Sequence, residues 1–112
     1  MDRILNEVPS STLGVVFDPV NLIPPTVVEP RDQLAFLDHA FETFGSRIVL
    51  THLKDYVVDN GQKNEIPSGK GIFETSAFLA KLHAQKPGVD ISLERLENET
   101  IEETFAYVRG LL

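Results

Sequence analysis

Segments of two hydrophobic periods alternate along this chain, and that alternation narrows its fold more than any other feature. Leu13-Gly14-Val15-Val16-Phe17 and Ile48-Val49-Leu50-Thr51 are apolar runs of strand length, and Val89 to Leu93 reads as a third strand. A short continuous run suits a parallel strand covered on both faces. Helical spacing fills the intervals. Ile4, Leu5 and Val8 share one face of a short opening helix that Pro9 stops. Asp32 is a candidate N-cap for a helix to about Phe44, with Leu34, Leu37, Phe41 and Phe44 on one face and Gly45 at its end. Another helix is expected over about Phe73 to Gln85, with Phe78, Leu79 and Leu82 inward and Pro87-Gly88 breaking it. Thr100-Ile101-Glu102-Glu103 has the capping-box pattern and opens a last helix with Ile101, Phe105 and Val108 as its stripe. A loop rich in proline runs from Pro19 to Pro30, and a polar one from about Asp59 to Gly71.

The expected order is therefore α-β-α-β-α-β-α. Strands alternating with amphipathic helices imply right-handed βαβ units and an α/β fold with a parallel sheet. No linker divides residues 1–112, so a single domain is expected.

All three expected strands end in a side chain able to bind a metal: Asp18, His52 and Glu94. In a parallel α/β sheet those ends lie together on one rim, where sites are built. Taken singly, a strand-end Asp or Glu is more often a helix cap or surface charge, and a lone His is usually just hydrogen-bonded. Their coincidence at three successive strand ends points to a shared site. Carboxylates with imidazole suit Mn²⁺, Co²⁺, Mg²⁺ or Zn²⁺. Lys54 has the strand phase of His52, so it can reach the same rim and bind a hydroxyl or phosphate; a solvated lysine is the competing reading.

Composition removes several alternatives. Ten Lys and Arg stand against 17 Asp and Glu, a net charge of -7. Such a chain lacks the basic surface that nucleic acid or an anionic membrane requires. There is no cysteine, hence no disulfide, thiolate metal site or Cys nucleophile. No apolar run approaches the ~20 residues of a membrane span and no signal-peptide segment follows Met1, so a cytoplasmic location is the default expectation. Gly69-Lys70-Gly71 lacks the length and ending of a nucleotide-binding loop. His39 and His83 read as helix-surface residues, Tyr56 and Phe73 as packing under the long loop, and Asp55 as fixing that loop.

Phe17-Asp18-Pro19-Val20-Asn21, Thr51-His52-Leu53-Lys54-Asp55, Gly69-Lys70-Gly71 and Ser92-Leu93-Glu94 resemble, in order, the last three βα units of xylose-isomerase-like TIM barrels. This superfamily includes sugar-phosphate isomerases and epimerases, inositol-catabolism enzymes and the AP-endonuclease group. The resemblance implies a partial (β/α)₈ barrel of about three parallel units. It implies that Asp18, His52 and Glu94 are divalent-metal ligands, with Glu94 also the acid/base that moves a proton next to a carbonyl. Asn21 stands where relatives often place a substrate- or metal-contacting His, so Asn21 and Lys54 become substrate-binding candidates.

Two departures qualify what the resemblance implies. Asn21 and the Ile66-Pro67-Ser68-Gly69 stretch lack ligands expected of the AP-endonuclease group, which with the acidic charge argues against a nuclease. The family's fourth ligand, a Glu on the preceding strand, has no position, because only a helix-like segment precedes Leu13. Three strands cannot close a barrel, so completion by self-association, most simply as a dimer, is expected. The expected function is that of a metal-assisted sugar or sugar-phosphate isomerase or epimerase. The alternative is a non-catalytic oligomeric remnant.

Overall fold

The computed structural model describes residues 14–112. The expected opening helix around Ile4 to Val8 and residue Leu13 lie outside the described residues. From there the chain runs β1 (Val15–Phe17), α1 (Pro19–Leu22), α2 (Pro30–Phe44), a single 3-10 turn (Gly45–Arg47) and β2 (Ile48–Leu53). It continues through β3 (Asp55–Asp59), β4 (Gln62–Ile66), α3 (Thr75–Gln85), β5 (Asp90–Leu93) and α4 (Ile101–Leu111).

The three expected strands form one parallel sheet in the order β1-β2-β5, while β3 and β4 form a separate antiparallel pair. The sheet is open, as three strands dictate. Its register explains an uneven burial pattern along β2. Val15 pairs with Ile48, but Val16 pairs with Leu50, so Val49 is an extra, bulged residue. The bulge resets the alternation: Ile48, Thr51 and Leu53 are buried with Val15 and Phe17, while Leu50 and His52 lie on the other face with Val16. That second face is bare in part, with Val16 48% and Val49 58% exposed.

Phe17 is the hub of the covered face. Its ring meets Phe44, Phe41 and Phe78 edge-on at centroid distances of 5.0, 5.7 and 5.7 Å, so α2 and α3 pack against β1 through aromatic rings. Buried polar groups tie the layers. Thr51 Oγ1 donates to the Phe17 carbonyl at 2.6 Å. Gln33 is fully buried; its amide donates to the Val28 and Ile72 carbonyls and its oxygen accepts the Glu74 N–H, bracketing α2 to the start of α3.

Local corrections follow from the chain's own chemistry. Helix α2 starts at Pro30 after Glu29, not at Asp32, because proline at the first position lacks only an N–H that would have no partner there. Its buried stripe is Gln33, Leu37, Ala40, Phe41 and Phe44, with Leu34 only half-buried. The Thr100 capping box is not formed: its Oγ1 makes no cap bond and is buried without a partner among the described residues. Helix α4 buries Thr104 and Val108, whereas Ile101 and Phe105 stay exposed. The segment read as a polar loop from Asp59 contains strand β4, joined to β3 by a two-residue turn at Asn60 (φ 51°) and Gly61 (φ 76°). Asn-Gly after Tyr56-Val57-Val58 is a hairpin signal, and the polar residues of β4 masked it.

Candidate active site at the strand ends

The site is built where β1, β2 and β5 end. His52 and Ser92 are partners in the parallel register, and Glu94 follows β5 with its N–H bonded to the Leu53 carbonyl at 2.8 Å. The register therefore carries the His52 and Glu94 side chains to one place: Nδ1 of His52 lies 2.8 Å from Oε1 of Glu94, both partly exposed (32% and 40%).

Asp18 takes a different role. It is the N-cap of α1, with Oδ1 accepting the Asn21 N–H at 3.0 Å, while Oδ2 lies 2.8 Å from the Lys54 ammonium. Lys54, directly after β2, lies at the rim beside Asp18, and its side chain is only 8% exposed. Its second partner is Glu65 on β4, at 3.1 Å. Glu65 also receives Arg95, whose Nε and terminal nitrogen lie 3.2 and 2.7 Å from Oε1. Arg95 directly follows Glu94 and holds a positive φ of 57°, sparsely populated for a residue with a side chain. Asn21 is exposed at the end of α1; its carbonyl and those of Val20 and Ile23 accept the Lys63 ammonium.

These contacts set the charges of the cluster. Burial alone would lower the Lys54 pKa, but hydrogen bonds and attraction from Asp18 and Glu65 outweigh it and raise it above the ordinary lysine value. Burial would raise Glu65, and the Arg95 and Lys54 bonds reverse that and hold it below the ordinary carboxylate value. For Lys63 desolvation prevails and lowers the pKa, although Glu65 and Asp18 pull the other way.

Asp55 fastens the segment after β4 to the start of β3. It is buried, its Oδ1 accepts the Tyr56 and Phe73 N–H groups at 2.8 Å each, and its Oδ2 accepts that of Gly69 at 3.0 Å. Gly71 fits beneath because a Cβ there would overlap the Tyr56 carbonyl oxygen and the Asp55 carboxylate. Tyr56 and Phe73 are buried packing residues, and His39 and His83 are exposed on their helices. Lys70 of the Gly-Lys-Gly segment pairs with Glu103 at 3.1 Å.

The donor chemistry of Asp18, His52 and Glu94 suits a divalent ion. Their placement joins two of them and separates the third. Among the described residues no three His, Cys, Asp or Glu side chains come together so as to hold a metal. Glu65 and Arg95 escaped the sequence reading, since nothing in periodicity links a hairpin carboxylate to a strand-end lysine.

Comparison with known proteins accords with this architecture. The family model of the xylose isomerase-like TIM barrel matches residues 1–111. A crystal structure of a xylose isomerase domain protein from Planctomyces limnophilus superposes with a TM-score of 0.75 at 21% identity, over 97% of this chain and 39% of that one. The chain thus spans well under half the length of this structural neighbour, with which it shares the fold. No curated protein matches the sequence. Among the described residues no helix is long and apolar enough to cross a membrane. With the match running over nearly its whole length and the parallel sheet in the expected order, the chain belongs to the xylose isomerase-like TIM barrel family.

Proposed function

We propose that this chain forms part of a sugar isomerase or epimerase whose strand-end rim moves a proton on the carbon next to a carbonyl. The contact that carries the reading is His52 Nδ1 to Glu94 Oε1 at 2.8 Å, on adjacent parallel strands of a sheet of this family. Glu94 is the base: a half-exposed carboxylate held by an imidazole has a defined direction in which to take a proton from carbon. His52 orients it through Nδ1, which leaves Nε2 as its ligand atom for a divalent ion. Lys54 gives N–H donors to Asp18 and Glu65 and has a third for a substrate oxygen. Lys54 and Arg95 together balance the Asp18 and Glu65 carboxylates, so no net positive charge is left for a phosphate, and a sugar hydroxyl or carbonyl suits the Lys54 donor better. Asn21, exposed beside Asp18, is assigned to a substrate hydroxyl in this reading. A divalent ion (Mn²⁺, Co²⁺, Mg²⁺ or Zn²⁺) belongs to it at His52 and Glu94, where it would supply polarisation of the substrate carbonyl.

The test follows exchange of substrate C–H for C–D by proton NMR, with unphosphorylated aldoses and ketoses in D₂O containing Mn²⁺. Exchange is expected, reduced by about 10² or more in Glu94→Gln. No exchange with any sugar would reject the proposal. A second reading, a non-catalytic oligomeric module, is favoured by the Lys54 ammonium lying 2.8 Å from Oδ2 of Asp18; it predicts sugar binding that Glu94→Gln leaves unchanged, without exchange.

A further inference from the structure

The disagreement between donor chemistry and donor placement has a specific cause. Asp18 at the end of β1 and Glu65 on β4 are brought to one point by the hairpin, and the cation between them is the Lys54 ammonium, at 2.8 and 3.1 Å. None of the three side chains is more than 16% exposed, so water does little to screen the cluster. Other donors hold both carboxylates as well. Oδ1 of Asp18 accepts the Asn21 N–H, and Oε1 of Glu65 accepts Arg95 in addition to Lys54. A divalent ion in contact with Asp18 would have to sit beside an ammonium already on its other oxygen, which like-charge repulsion opposes. Two carboxylates facing one another without any cation would be equally unfavourable, so the position demands a positive charge from some source.

We infer that Lys54 is a resident cation that joins Asp18 to Glu65 in place of a metal ion, so that Asp18 binds no divalent ion while Lys54 is present. The metal-binding capacity of the rim is then confined to His52 and Glu94. Beside the substrate contact proposed for it, Lys54 also positions Asp18 and Glu65, and its hydrocarbon stem makes methionine the closest uncharged substitute.

Mn²⁺ binding, read by electron paramagnetic resonance of the free ion, separates the alternatives without any need for turnover. Asp18→Asn keeps the α1 cap and removes the charge; in the otherwise wild-type chain it is expected to change Mn²⁺ affinity less than twofold. Lys54→Met exposes Asp18 and Glu65 to an outside cation and is expected to tighten Mn²⁺ binding tenfold or more, a gain abolished by adding Asp18→Asn. A tenfold weakening by Asp18→Asn alone overturns the inference, as does a folded Lys54→Met protein with no gain. If far-UV circular dichroism shows Lys54→Met unfolded, Asp18→Asn alone decides. Wild-type protein that binds no Mn²⁺ at all would remove the metal from the proposed reaction and leave the Lys54→Met gain as the test of this inference.

Discussion

Tyr56 shows how one buried side chain couples this site to solution conditions. Its ring is fully buried against Phe73, and its hydroxyl donates to the Val27 carbonyl at 2.7 Å. Burial first, and then the Asp55 charge, push its pKa up to about 12 from 10.0. A raised acid pKa means that the folded state keeps its proton where the unfolded chain has lost it. Stability from this group is therefore fully present below about pH 10 and is lost as pH rises toward 12, by about 2–3 kcal/mol. Urea unfolding at pH 8 and at pH 11.5 checks this. Tyr56→Phe should lose about 1 kcal/mol at pH 8 with its hydrogen bond, yet show the smaller decline at pH 11.5. Glu65 works in the opposite window: its lowered pKa contributes stability above the ordinary carboxylate range, lost as pH falls through the lowered value. Tyr56 was legible as a packing residue under the loop, but its Val27 partner and both cations on Glu65 lie more than ten positions away and only folding brings them in.

At the scale of elements, the β3–β4 hairpin is the device that makes the site. It delivers Glu65 to Lys54 and Lys63 to the carbonyls at the end of α1, so its turn governs the rim from outside it. Gly61 sits in open space at φ 76°, and alanine there meets no atom within 4 Å; the cost is purely that of a left-handed backbone. Gly61→Ala should destabilise by about 1 kcal/mol, measured as a shift in the urea midpoint with unchanged slope. Strand β2 shows the complementary lesson. Its apolar composition made it a strand on sight, but the Val49 bulge that turns His52 to the open face arises only from pairing with β1. The helix starts behave similarly: Pro30 marks its helix by local sterics, whereas the Thr100 cap fails in a setting that local pattern does not describe.

For the whole molecule, the open sheet is the governing fact. Among the described residues β1 and β5 are edge strands, and Val16 and Val49 lie exposed beside them. Exposed apolar strand surface favours association. The 112-residue chain is accordingly expected to self-associate at micromolar concentration in sedimentation velocity runs, and Val49→Lys is expected to shift it toward monomer. A wild-type monomer under those conditions would contradict the expectation. The sequence by itself determined the order of parallel strands and helices, the family, and the strand-end positions of Asp18, His52 and Glu94, because hydrophobic period and chain order are local properties. Only the tertiary structure decided which of those three meet. His52 and Glu94 are joined by the β2–β5 register, while Asp18 is held by Lys54, itself shared with a Glu65 that folds in from the hairpin. Contacts between charges distant in sequence depend on register and on competing partners, and those exist only once the chain has closed on itself.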